Sequence, residues 1–315
     1  MAMSTESNQQ QRGISVSLDE LISMRLRAHR LERFARRVSG SHAAVHVSRF
    51  RGRGVDYAES RGYQPGDDIR QMDWRVTART GRPHTKMFEE ERERSVLIVL
   101  NCNPSMRFGT RVRFKSVQAA RTAALIAWAT ALAGDRIGAV GYGPGLNAEV
   151  KPAGGMRGAL RCLRAFVEWD AITRDAQATI PLSQALQRAQ RLARPGTQII
   201  VLGDGFDCDE AAAPALALLA EHCDVAGVVL SDPLEHRPPP PARYAVQGAG
   251  GRILLDLSAK DTRARWPRAF DERREAFTGM FKRRALSCTV LDTADEPEDV
   301  LRVVLGFDAR RRKAG

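Results

Sequence analysis

SVLIVLNCNPSM, residues 95–106, passes without interruption from an apolar run into a short polar loop, and it marks the point where the texture of the chain changes. From Ser95 onward, apolar runs alternate with helical segments, the pattern of a mostly parallel sheet covered on both faces. The strand candidates are Val96 to Leu100, Ile137 to Tyr142, Gln198 to Leu202, Val225 to Leu230 and Leu286 to Leu291. Helices are expected at about Val112 to Ala133, Gly158 to Trp169, Leu182 to Ala193, Glu210 to His222, Asp261 to Arg284 and Pro297 to Leu305. Right-handed crossovers then give an α/β fold with a doubly wound sheet over residues 95–309. Pro238 to Pro241 read as a stiff connector, Tyr244 to Asp256 as a hairpin turning near Gly248 to Gly251, and Gly141 to Gly145 as a hairpin or tight turn.

Upstream, the polar residues 1–16 are expected to be disordered. Ser17-Leu18-Asp19-Glu20 is a capping box that opens a helix running to about Arg37. Gly40 to Arg94 is irregular, with strands expected at Ala43 to Phe50 and His84 to Phe88. Residues 17–94 are therefore read as a leading helix plus a small accessory module. Its densest charged and aromatic cluster is RGYQPGDDIRQMDWRVTAR, residues 61–79. Gln64-Pro65-Gly66-Asp67 fits a type II turn, and Asp67 or Asp68 then caps a short helical stretch from Ile69 to Trp74. Arg61, Tyr63, Asp67, Asp68, Arg70, Asp73, Trp74 and Arg79 are the candidate partner-binding residues. The alternative is an internal clamp, in which Arg61, Arg70 and Arg79 pair with Glu59, Asp68 and Asp73 and Trp74 packs inward.

A chain of 315 residues with 43% hydrophobic content is long and apolar enough to bury a core. Its net charge of +12 permits an acidic partner, a nucleic acid or a membrane surface and selects none. The arginines of residues 25–37 and the basic tail 310–315 motivate a nucleic-acid-associated alternative, but stacking aromatics and a recognition motif are missing. The polar start lacks an apolar signal region, and the most apolar segment, Thr122 to Gly134, is too short to span a bilayer and reads as a buried helix. A cytoplasmic location follows as the expectation. Five scattered cysteines read as buried thiols in a reducing compartment.

In doubly wound sheets, ligand sites form where strands end, so the loops after Leu100 and Leu202, NCNPSM and GDGFD, are the first to inspect. Here the chain resembles a von Willebrand factor A domain, whose metal-ion-dependent adhesion site uses an Asp-x-Ser-x-Ser loop after the first strand. Asn101, Asn103 and Ser105 occupy those positions, and Asp204 matches the family's distal aspartate. The resemblance implies a Mg2+ site in degenerate form, because Asn101 replaces a carboxylate by an amide and Asn103 replaces a hydroxyl, while magnesium favours anionic oxygen. The family's threonine loop reads Gly154-Gly155-Met156-Arg157, which puts a guanidinium where a cation is expected beside Asp204.

FRGRGVDYAESRGYQPGDDIRQMDWRVTAR, then FEEERERSVLIVLNCNPSM, then SDPLEHRPP, together look like the bacterial family of domain of unknown function 58, from about Arg49 to Arg310. That family is similar to von Willebrand factor A domains, and its members are commonly encoded beside AAA+ ATPases of the MoxR type. The resemblance implies a non-enzymatic adaptor that presents a client protein to such an ATPase, in a short form without transmembrane helices and with no resident cofactor. A metal-dependent hydrolase is a weaker alternative. Ser105 lacks the glycines of a nucleophile elbow, the six histidines form no HExxH pair, and no P-loop is present.

Overall fold

The computed structural model describes residues 13–30, 55–64, 68–90, 94–175, 177–248 and 251–304. The expected strand at Ala43 to Phe50, Asp67, the centre of the type II turn and the basic tail lie outside the described residues. The chain divides into two compact units, residues 36–93 and the remainder.

The larger unit is a mixed α/β structure built on a six-stranded sheet of order β10-β7-β6-β3-β4-β5. Its strands are β3 (Ser95–Asn101), β4 (Arg136–Gly143), β5 (Leu146–Gly154), β6 (Gln198–Gly203), β7 (Asp224–Ser231) and β10 (Ser287–Asp292). Every pairing is parallel except β4 with β5. The continuous apolar run of β3 has a direct packing cause. Val96, Ile98 and Leu100 enter the core on one face, while Leu97 and Val99 enter the core on the other.

One face is covered by α1 (Leu18–Ser23), α3 (Lys115–Leu132), α4 (Gly155–Ile172) and α9 (Glu298–Val304), the other by α5 (Leu182–Leu192), α6 (Ala212–Ala220) and α8 (Lys260–Lys282). Helix α3 is apolar around most of its circumference because α1 and α4 cover the side turned from the sheet, as its Ala-rich segment requires. Glycine at position 141 lets α4 approach closely, since a Cβ there would sit 2.4 Å from the Trp169 ring. A short α7 (Pro233–His236) and an antiparallel hairpin of β8 (Arg243–Gly248) and β9 (Gly251–Asp256) precede α8.

Two expectations change here. The leading helix belongs to the α/β unit and not with the accessory module: Leu21, Met24 and Ala28 are buried in the core, and Trp128 Nε1 donates 2.9 Å to the Leu21 carbonyl. Ser17 caps α1 as expected, but the Glu20 carboxylate pairs with Arg121 instead of closing the capping box. All five cysteines are free; Cys102 and Cys162 are buried, whereas Cys208, Cys223 and Cys288 are partly exposed.

The smaller unit pairs β1 (Val55–Gly62) antiparallel with β2 (His84–Glu90). Between them lie a single 3-10 turn, Ile69–Gln71, and α2 (Trp74–Thr80), which ends on Gly81 at φ 69.

Candidate functional site

The C-terminal ends of β3, β6, β7 and β10 share one edge of the sheet, and each delivers a polar loop there. Asn101 and Asn103 are buried at 1% and 0% exposure. Asn101 Oδ1 accepts the Asn103 backbone N–H at 2.8 Å. Asn103 holds Ile180 from both sides, donating to its carbonyl at 2.9 Å and accepting its N–H at 2.8 Å. Ser105 donates to Asp204 Oδ1 at 3.2 Å, an oxygen that also accepts the Phe206 N–H at 3.2 Å. The loops singled out by the sequence therefore do meet.

A residue that the sequence did not flag sits among them. Lys115 opens α3, where a positive charge opposes the helix dipole, and its side chain is 1% exposed. Its Nζ donates to Asp204 Oδ2 at 2.8 Å and to Glu235 Oε1 at 2.9 Å. Glu235 is in turn fixed as the last member of a capping box, its Oε2 accepting the Asp232 N–H at 3.1 Å. The Phe206 ring lies 4.9 Å and the Phe108 ring 5.7 Å from the ammonium. Burial pulls this ammonium toward losing its proton, but the charges and hydrogen bonds of Asp204 and Glu235 outweigh that and hold its pKa above the ordinary value.

This arrangement does not fit a magnesium ion. Both oxygens of Asp204 are engaged, one of them by the ammonium, and the carbonyl oxygens of Asn101 and Asn103 are turned to backbone N–H groups. Among the described residues no group of three or more His, Cys, Asp or Glu is placed to hold a metal. Arg157 is not the nearby cation either. Gly154 pairs with Arg136 at the start of β4, which puts Gly155 and Arg157 at the opposite end of the parallel strands from Asp204.

Asp232 supports the same edge, accepting the N–H and hydroxyl of Thr110 at 3.0 and 2.6 Å and the Thr293 hydroxyl at 2.6 Å. Beside it, His236 Nε2 lies 3.1 Å from Ser231 Oγ and 3.0 Å from Asp292 Oδ1. The trio has the composition of a hydrolytic triad but the wrong tautomer. Arg274 sits 2.7 Å from Nδ1 and can only donate, so Nδ1 accepts and Nε2 carries the proton. A protonated Nε2 cannot take the proton of Ser231.

Asp207 is buried at 4% exposure, and neither of its oxygens has a hydrogen-bond partner among the described residues. Burial, followed by the charge of Asp204, pushes its carboxyl up to about 7. Tyr142 is near enough to oppose that shift, yet among the described residues its hydroxyl makes no hydrogen bond of good geometry, and Asn101 Nδ2 is likewise unpaired there. A cavity lined by Asn101, Cys102, Arg107, Asp170 and Thr173 has about 10 Å3 of space, room for one water and too little for an organic ligand.

In the smaller unit the sequence cluster divides by role. Asp68 caps the 3-10 turn through the Arg70 N–H at 2.9 Å. Asp73 is 6% exposed and caps α2, accepting the Arg75 and Val76 N–H groups at 3.1 Å each and the Ser60 hydroxyl at 2.6 Å. Arg61 donates to the Gly62 carbonyl at 3.1 Å, and the Tyr63 N–H to the Pro83 carbonyl at 2.9 Å. Trp74 starts α2 instead of ending the turn, and it is 65% exposed, as Ile69 is at 62%, so the inward-packed tryptophan of the clamp reading is not found. Arg70 and Arg79 are exposed. Asp73→Ala should cost about 1–2 kcal/mol through the lost cap. Hydrogen exchange localised to residues 74–80 checks this; unchanged protection there would contradict the role given to Asp73.

The family described as "Protein of unknown function DUF58" matches residues 59–276. The uncharacterized proteins Rv1480 of Mycobacterium tuberculosis and Mb1516 of Mycobacterium bovis are each 29% identical to this chain over 214 residues, 68% of this chain and 66% of theirs. The match thus spans just under two thirds of those relatives. Among solved structures, the conserved hypothetical protein BatB from Bacteroides thetaiotaomicron aligns with a TM-score of 0.46 at 15% identity, over 69% of this chain and 99% of that one.

Proposed function

This chain belongs to the DUF58 family, and we propose that it is a non-enzymatic, von Willebrand factor A-like adaptor that presents a client protein to a MoxR-type AAA+ ATPase. One observation carries the non-enzymatic part. At the strand ends, where an α/β enzyme aims reactive groups at a substrate, the buried Lys115, Asp204 and Glu235 are spent on one another. The bond from Ser105 to Asp204 supports the von Willebrand factor A type, since it joins the two loops on which that resemblance places an ion site. The ATPase would supply the nucleotide chemistry. The adaptor reading carries with it a cytoplasmic location; among the described residues no helix is long and apolar enough to cross a membrane.

Trp74 and Ile69 give the adaptor exposed apolar side chains on the smaller unit, and Arg70 is exposed as well. The test is co-purification with the MoxR-type ATPase of the same cell, with and without ATP. Its recovery is the expected result, and repeated absence under both conditions overturns the proposal. Trp74→Ala combined with Arg70→Ala should weaken that association by tenfold or more, on the order of 1.4 kcal/mol or above. The melting transition should stay in place, because both side chains are exposed.

A further inference from the structure

We propose that Lys115 takes the place of a divalent cation at the strand-end site, so that an internal ammonium holds the loops after β6 and β7 together and the site works without metal. The inference rests on the geometry around Lys115 and not on the adaptor reading; a chain with no ATPase partner would carry the same ammonium.

Three features of the structure converge on it. The first is position: Nζ bridges Asp204 at 2.8 Å and Glu235 at 2.9 Å, carboxylates from two different strand-end loops, and Ser105 completes the cluster on the other oxygen of Asp204. These anionic oxygens are the ones an ion joining the loops would take, and the ammonium already holds them. The second is charge. Two carboxylates face one monovalent cation, while Asn101 and Asn103 at the same edge are neutral amides whose oxygens bind backbone N–H groups. Adding a divalent ion within about 4 Å of the ammonium would set like charges against each other in a buried setting, where their repulsion is weakly screened.

The third feature is placement on the chain. A lysine at the first position of an 18-residue helix works against the dipole, and this helix has no side-chain cap, so the helix itself gains nothing from the residue. Its buried contacts are with the neighbouring loops and with the faces of Phe206 and Phe108. Because Nζ is enclosed, the carboxylate oxygens it holds on Asp204 and Glu235 offer no open coordination position. A partner that binds here is therefore recognised by the outer side chains and not through a carboxylate bridged by an ion.

The experiment uses the full chain and Mn2+ alone as probe, with free ion counted by electron paramagnetic resonance and melting followed in parallel. Wild type is expected to take up no Mn2+ at concentrations to about 1 mM, the weak end of protein divalent sites. It should melt at the same temperature in MgCl2 and in EDTA. Lys115→Ala is expected to gain Mn2+ uptake that a further Asp204→Asn change removes, and to be stabilised by the ion. Uptake by wild type that Asp204→Asn abolishes would overturn the proposal, as would a folded Lys115→Ala chain that takes up none. The wild-type and Asp204→Asn measurements need no change at Lys115, so they can overturn the proposal even if Lys115→Ala fails to fold.

Discussion

Lys115→Met is expected to lower the free energy of unfolding by about 3–5 kcal/mol, the cost of leaving a buried charge without its partner. Methionine fills much of the lysine volume, so the loss reports charge and not a cavity. Asp204 and Glu235 would remain at 4% and 5% exposure, facing each other without the ammonium that joins them. The triple change Lys115→Met, Asp204→Asn, Glu235→Gln should recover most of the loss, because the desolvation of all three charges disappears with them. Urea titration of the three proteins measures both effects. A single variant within about 1 kcal/mol of wild type would mean that the cluster is solvated in solution and that its burial has been overstated.

The sheet was readable in the sequence where its strands are buried on both faces. β3, β6 and β7 lie in the middle of the sheet between two cores, so they must be apolar throughout and appear as unbroken runs. β5 is the edge strand, LNAEVKPAG, with only Leu146 and Val150 buried, and its polar outer positions erase that signal. Missing it had a consequence at the site. In an all-parallel sheet the loop after such a strand would lie with the other ligand loops, but the antiparallel β5 runs backward and carries Gly155 and Arg157 to the far end. β1, VDYAESRG, went unseen for the same reason, since it belongs to a two-stranded ribbon with few apolar residues.

The loops that carry Asn101, Asn103, Ser105 and Asp204 were found because the rule that ligands gather at strand ends needs only the strand positions, and the residues within them were picked out by the resemblance. Lys115 and Glu235 were not found, because nothing local distinguishes one lysine among 49 basic residues. Their pairing is made by the fold, across 120 positions of chain. Two faint signals were present. A lysine opened a mostly apolar helix against its dipole, and SDPLEHRPP carries a glutamate three residues after a capping aspartate that follows an apolar strand. The cluster of residues 61–79 was legible as capping chemistry for the opposite reason, since Asp68 and Asp73 act on N–H groups two or three residues away.

Asp207→Asn should stabilise the protein at pH 8, by up to about 2–4 kcal/mol, and change it little at pH 4. The sign follows from the carboxyl being pushed up to about 7, first by burial and then by the charge of Asp204. In the unfolded chain the same group titrates near 3.9, so the folded state binds its proton more tightly. The stability this proton confers is fully present below about pH 4 and declines as pH rises toward 7; above that the folded protein carries an ionised carboxylate with no hydrogen-bond partner among the described residues. Asparagine has no charge to desolvate and keeps a similar shape beside Tyr142. Asp232 and Glu296 run the other way, because hydrogen bonds and nearby arginines respectively hold them below the usual carboxylate range against the cost of burial. Their contribution is fully present above the ordinary carboxylate range of about 4 and is lost as pH falls through those depressed values, so it shapes the acid end of the wild-type profile. The quantity to measure is therefore the difference between Asp207→Asn and wild type at each pH, in which the shared carboxylates cancel. That difference should grow between pH 5 and pH 8 and then level off. A variant no more stable than wild type at pH 8, or a difference flat across that window, would show that water or a bound partner solvates Asp207 and that its pKa is ordinary.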